Sequence, residues 1–280
     1  MGKKKRDAAG LAIVRTVDVP LEEVSGLCLR RGPGGVLQVV AIGDRAAIGA
    51  WATVPDDPDG PVRWETASLT GLAGTRLPAD DPQIEAVCAD GAGRVLVASI
   101  DLDIPDDHPL GPAWRDPDGS RGEGAVFLAN GHLLIIKEKD PSAFIEFGPE
   151  GEAASGFRAG ALEGGTALRP GEAWPVQPGE QTFVLLAAWT PDRELARACR
   201  DLSDLEVGPD GRLYVLSDKS ASIARLADLD PGNPFARAHE TWELPRSTGS
   251  PRVWPSRLAA GRSSPSTRGR PGATWWSSTP

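Results

Sequence analysis

Two sets of polar residues recur at equivalent places along this chain. The first set precedes strand-like segments and consists of Glu23, Ser25, Glu85, Glu123, Glu163, Asp201, Ser203 and Asp204. The second set ends strand-like segments and consists of the pairs Asp44 with Arg45, Glu138 with Lys139, and Asp218 with Lys219. Carboxylates gathered at one place repel one another and bind either protons or a cation. Hard oxygen ligands in an irregular ring suit Ca²⁺, so the pattern indicates calcium as a candidate cofactor.

The elements that must position these residues are β-hairpins that repeat along the chain. Residues 204–219 follow the order strand, turn, strand, and residues 124–139 and 86–99 align with them without a gap. The dipeptides Asn130-Gly131 and Asp210-Gly211 supply the positive φ angles that tight hairpin turns require. Because the start of the first strand in a hairpin lies beside the end of the second, we expect both polar sets at the same edge.

Repeated small antiparallel sheets are typical of a β-propeller, with blades of about 40–60 residues. The 33 glycines and 26 prolines disfavour helices and suit turn-rich β-structure. We predict an all-β fold, a six-bladed propeller over residues 10–245. It includes a weaker unit near Glu163, to which the strand at residues 182–189 belongs, and a sixth unit near residue 250. Residues 11–19 supply an extra strand that closes the ring, and residues 1–9 form a disordered basic tail. The polar sets then form a ring at one mouth of the channel.

The C-terminal segment 246–280 departs from this pattern. It is rich in Arg, Ser, Pro and Trp and lacks strand periodicity, which is typical of a disordered low-complexity tail. Read one base earlier, codons compatible with this segment encode a further repeat unit, in which Trp275 and Trp276 become an aliphatic residue or methionine followed by valine. We therefore predict that a frameshift near residues 246–250 disrupted the last blade and left an aberrant tail.

Four segments of the chain carry a resemblance to a known family. They are EEVSGL (22–27), IEAV (84–87), IIKEKDPSAFIEFG (135–148) and DLSDLEVGPDGRLYVLSDK (201–219), the last being the most specific. They resemble the SdiA-regulated family of β-propellers, and more distantly the phytase-like, esterase-like and gluconolactonase-type propellers. In gluconolactonase-type propellers an acidic residue before the inner strand binds calcium. The resemblance therefore implies Glu85 and Glu123 as metal ligands, with Asp204 joining them if the chain is a hydrolase.

Charge and cysteine usage argue against several classes of partner and location. A net charge of −9 and a pI near 5.0 disfavour nucleic-acid binding. No apolar segment reaches the length of a membrane span, and no signal peptide is recognised. The three cysteines Cys28, Cys88 and Cys199 lie far apart, as expected for thiols in a reducing compartment. We therefore expect a cytoplasmic protein with neither a nucleic-acid partner nor a membrane span.

Two functions fit these observations, together with a third possibility that the chain has no function of its own. The first is a non-catalytic scaffold that binds a small molecule or protein at the propeller face, through Glu23, Asp44, Arg45, Glu138, Lys139, Asp201, Asp218 and Lys219. The alternative is a Ca²⁺-dependent esterase or lactonase, in which the metal polarises a carbonyl and Asp201 or Glu23 acts as base. The simplest interpretation of the repeated Asp-Lys pairs is salt bridges within a sheet.

The sequence offers little support for other kinds of catalysis. It lacks the serine-elbow, zinc-protease, P-loop and dinucleotide-binding motifs. We interpret His108, His132 and His239 as incidental, because none stands in a catalytic pattern. The binding scaffold is therefore the favoured function.

Overall fold

The computed structural model describes residues 15–22, 24–43, 47–69, 84, 86–98, 108, 111, 122–159, 166–176, 183–245, 257–258 and 273–277. Strands dominate these residues and form five sheets. A short helix, α1 (Leu195–Ala198), links the third and fourth of them. The prediction of an all-β fold is confirmed. Within the described ranges, no helix is long and apolar enough to cross a membrane.

The first sheet is an antiparallel meander whose strands pair in sequence order. Its strands are β2 (Val24–Arg31), β3 (Leu37–Gly43), β4 (Ile48–Thr53) and β5 (Trp64–Ser68). Strand β3 is buried on both faces, because Val39 and Ala41 join one apolar cluster while Val40 and Ile42 join another. Apolar neighbours on both faces explain why this strand reads as a nearly continuous hydrophobic run.

The next two sheets continue the same plan. The second contains β6 (Ala86–Ala89) and β7 (Val95–Ala98). The third contains β8 (Gly122–Phe127), β9 (Leu133–Lys137), β10 (Ala143–Pro149) and β11 (Phe183–Pro191). Because β11 pairs antiparallel with β10, it is the fourth strand of the third sheet. The prediction that it belongs to a separate unit starting near Glu163 is wrong for this strand, and Glu163 itself lies outside the described residues.

The remaining strands form the fourth sheet and a small sheet from the two chain ends. The fourth sheet contains β12 (Asp204–Val207), β13 (Leu213–Ser217), β14 (Ser222–Leu226) and β16 (Ala238–Glu243), while β15 (Phe235–Ala236) pairs with β11. The small sheet contains β1 (Arg15–Val17), β17 (Arg257–Leu258) and β18 (Ala273–Ser277). Strand β1 falls within the predicted closing strand. Strands β17 and β18 fall within segment 246–280, whose other residues lie outside the described ranges, as do residues 1–9.

The first hairpins of the first four sheets share one turn geometry. In each turn, the amide of the first residue donates to the carbonyl four residues later, as Gly208 N does to Arg212 O. The amide three residues after the first residue donates to the carbonyl of the first residue, as Gly211 N does to Gly208 O. The donor of the second of these hydrogen bonds is in every case a glycine with positive φ, namely Gly35, Gly93, Gly131 and Gly211. The turns are thus three-residue loops with a glycine in the left-handed region. The sequence predicts two-residue turns at Asn130-Gly131 and Asp210-Gly211, whereas each of these loops contains three residues.

The first strands of these sheets, β2, β6, β8 and β12, lie side by side in that order. Glycines permit the close approach, since a Cβ added to Gly26 would lie 3.1 Å from Val87 Cγ1, and one added to Gly124 would lie 2.6 Å from Leu205 N. Apolar clusters fill the spaces between neighbouring sheets, and the largest lies between the third and fourth. The first strands of the four sheets therefore form one closely packed row, from which the other strands of each sheet extend.

Replacing Gly124 by alanine should destabilise the fold by about 1–3 kcal/mol, because the added methyl group meets the backbone of β12. Gly232→Ala is the matched control, since its Cβ would approach only the Asp230 side chain, at 3.3 Å. Urea unfolding of both variants measures the effect. Equal stability of the two variants would contradict the close packing of β8 against β12.

Candidate functional site

The strand ends of the third and fourth sheets bring four predicted site residues together. We call Glu123, Glu138, Lys139 and Asp204 the mouth cluster. The Leu202 amide donates to the Glu138 carbonyl at 3.1 Å, which joins the end of the third sheet's hairpin to the segment before β12. Gly124 packs against Asp204, whose Oδ1 would lie 2.7 Å from a Cβ at position 124. Residues from both polar sets therefore meet at one edge.

Two lysines lie among the carboxylates of the mouth cluster. Lys139 Nζ is 3.0 Å from Glu138 Oε2, and this hydrogen bond raises the pKa of Lys139, with smaller contributions from Glu123 and Asp140. Because 40% of the Lys139 side chain is exposed, the pair contributes less than about 1 kcal/mol. Lys137 is fully buried and donates to the Lys139 carbonyl. Lys139 therefore pairs with Glu138, and its charge also interacts with that of Glu123.

Asp204 is the buried member of the mouth cluster, with 6% of its surface exposed. Burial raises its pKa well above the ordinary value, and the charges of Glu206 and Glu123 raise it further. The Leu205 amide, 2.7 Å from Oδ1, partly opposes this shift. Burial therefore favours the proton-bound form of Asp204, and a nearby cation would favour its ionised form.

Glu206 lies two residues further along β12 and was not predicted as a site residue. Its carboxylate accepts hydrogen bonds from the Val207 amide and from the Leu29 amide of β2. It therefore joins the two ends of the row of first strands. Burial raises its pKa to about 7. The one sequence signal that could have found it is its charge, which interrupts the apolar pair Leu205 and Val207.

Two cysteines lie near Glu206. Cys28 of β2 and Cys88 of β6 are both buried free thiols. Burial raises the pKa of each thiol well above its ordinary value, and the charge of Glu206 adds to the shift. They are therefore neutral thiols that line the row of first strands, as the sequence predicts for buried cysteines.

Asp201, which the sequence offers as a binding residue or a base, holds its hairpin together. Its buried carboxylate accepts hydrogen bonds from Ser217 Oγ, from Ser203 Oγ at 3.2 Å, and from the Lys219 amide. The Asp218 amide in turn donates to Ser203 Oγ at 3.0 Å. In this hairpin, an acid before the first strand therefore fastens the end of the second strand. A carboxylate with these donors is poorly placed to act as a base.

Several predicted residues lie outside the described ranges: Glu23, Asp44, Arg45 and Glu85. In the ranges that the structure does describe, no group of three or more His, Cys, Asp or Glu side chains could hold a metal ion. Ser25 Oγ donates to the Ile84 carbonyl at 2.6 Å, which ties β2 to the residues before β6. His239 is exposed, whereas His132 is buried between two glutamates.

No protein-family model and no curated protein sequence matches this chain.

Replacing Glu206 by glutamine should change how stability depends on pH. Because the pKa of Glu206 is raised from 4.5 to about 7, the folded chain binds more protons than the unfolded chain in this window. The free energy of unfolding therefore falls as pH rises through the window. Relative to that of wild type, the free energy of unfolding of the variant should therefore rise by up to about 3 kcal/mol between about pH 4 and pH 8.

Urea unfolding at both pH values measures this gain, with Glu65→Gln on the exposed face of β5 as the control of equal charge. If the difference in free energy of unfolding between wild type and Glu206→Gln stays constant with pH, the raised pKa of Glu206 is contradicted.

Proposed function

We propose that this chain is a β-propeller that binds a positively charged small molecule, or a protein ligand with such a group, at the mouth cluster. The observation that carries the proposal is the juxtaposition of Glu123 and Asp204 across the first strands of neighbouring sheets. The charge of Glu123 makes ionisation of buried Asp204 more costly, and a nearby cation would lower that cost. A bound cation would replace the proton on Asp204.

The repetition of the sheets supports the propeller. Four sheets begin with the same turn geometry, their first strands lie side by side, and the chain ends share a further small sheet. Six blades require another sheet from residues outside the described ranges. We also propose membership of the SdiA-regulated family, for which the hairpin fastened by Asp201, from the most specific segment, is the main support.

The charges of the cluster favour a cationic ligand over an anionic one. Burial favours the proton-bound forms of Asp204 and Glu206, and a cation would favour their ionised forms. Lys139 is also engaged by Glu138, and Lys137 is turned to a backbone carbonyl. An anion would therefore have to break existing contacts, whereas a cation exchanges with a proton.

Putrescine, a simple aliphatic diamine, is a suitable probe of this proposal. We expect it to bind more tightly as the pH rises from about 6 to about 8, because Glu206, whose pKa is about 7, then loses its proton. Glu123→Gln should weaken binding about fivefold to tenfold through the loss of one facing charge. Isothermal titration calorimetry measures both effects. An equal loss in the matched variant Glu65→Gln would mean that only the net charge matters and would contradict the proposal.

A second candidate function is a Ca²⁺-dependent esterase or lactonase, favoured by the same pair of carboxyl groups. Calcium would take Glu123 and Asp204 as ligands, with Glu85 as the further ligand that the resemblance implies, and would polarise a substrate carbonyl.

Thermal melting in millimolar calcium and in EGTA separates the two functions. For the binding scaffold we expect equal melting temperatures. A rise of several degrees with calcium, lost in Glu123→Gln and accompanied by calcium-dependent hydrolysis of an ester or lactone, would favour the hydrolase.

A further inference from the structure

A buried network lies in the third sheet, at the end opposite the mouth cluster. Glu146 of β10 is fully buried, and its carboxylate accepts four hydrogen bonds. The donors are His132 Nδ1 at 2.5 Å, Ser155 N at 2.9 Å, Ser155 Oγ at 2.8 Å and Gly156 N at 2.8 Å. Because a carboxylate has about four acceptor positions, Glu146 is saturated by these partners. It is the fixed point of the network.

The His132 ring is held equally firmly. It is 1% exposed and packs against Gly148, where an added Cβ would lie 2.7 Å from the ring. The His132 amide donates to Asn130 Oδ1 at 3.1 Å, and its carbonyl accepts from the Trp174 indole at 3.3 Å. These backbone contacts leave the ring little freedom to turn.

The second ring nitrogen faces a movable partner. His132 Nε2 is 2.8 Å from Glu152 Oε2, and half of the Glu152 side chain is exposed. Ionised carboxylates only accept hydrogen bonds, so both contacts are complete when the ring carries two protons. Glu146 and Glu152 are the titratable groups that contact the ring, and the contacts from Asn130, Gly148 and Trp174 are neutral.

We propose that His132 is a proton-operated latch on the loop formed by residues 150–156. With both protons present, the imidazolium joins buried Glu146 to surface Glu152 and holds the loop closed. When the Nε2 proton passes to solvent, the ring keeps its Nδ1 proton for Glu146, and Nε2 then presents a lone pair to the Glu152 carboxylate. The two acceptors repel each other, and Glu152 turns outward.

The latched loop connects two sheets. Immediately after it, Phe157 exchanges two backbone hydrogen bonds with Leu229, at 3.0 and 2.8 Å. Leu229 follows β14 of the fourth sheet. Because Glu146 accepts from the amides of Ser155 and Gly156 in both states, this junction stays in place, and the latch moves only the part of the loop around Glu152.

Amide hydrogen exchange of residues 150–154 in the full chain tests the latch. After correction for intrinsic exchange rates, we expect protection to fall about tenfold as the pH is raised and the charge-assisted hydrogen bond is lost. Glu152→Gln should abolish this fall, because an amide can either donate to or accept from the ring. Glu150→Gln is the matched control from the same loop, exposed and outside the network, and should behave as wild type.

Two results would overturn the latch. One is wild-type protection that does not change with pH, and the other is an unaltered pH dependence in Glu152→Gln. Nitrogen NMR of the His132 ring adds an independent readout, because loss of the Nε2 proton should coincide with the loss of protection. Retention of both ring protons while the loop opens would also contradict the proposal.

Discussion

The close packing of the first strands is the constraint on which the rest of this structure depends. Gly26 and Gly124 leave room for the neighbouring strands, where any side chain would meet Val87 or the backbone of Leu205. With the strands this close, inner strands such as β3 and β9 are buried on both faces, and residues at the strand ends of neighbouring sheets come together. The mouth cluster is thus a consequence of the repeat and not of any single motif.

The same packing sets the electrostatics of the site. Asp204 and Glu206 project from β12 into surroundings from which water is largely excluded, so the proton-bound form of each is favoured. Ionised carboxylates at these positions destabilise the fold unless a cation accompanies them. Burying an ionisable carboxyl group lowers stability, but such a group suits a binding site because its proton can be exchanged for a positively charged ligand group.

The sequence predicts the repeating parts of this fold better than the contacts between them. The hairpins were recognisable because their turn glycines and apolar strands are local signals. Strand β11 was assigned to the wrong unit because a long connection separates it from its partner β10. His132 was interpreted as incidental because its partners Glu146 and Glu152 are 14 and 20 residues away. Glu206 was missed because its contact with Leu29 joins opposite ends of the row of first strands.

The central claim of this account is that a cation exchanges with the proton of Asp204. The most direct measurement is calorimetric titration with putrescine near neutral pH in two buffers of different ionisation enthalpy, which counts the protons released on binding. We expect proton release by wild type and a clear reduction in Asp204→Asn. Binding without proton release, or with the same release in the variant, would contradict the claim.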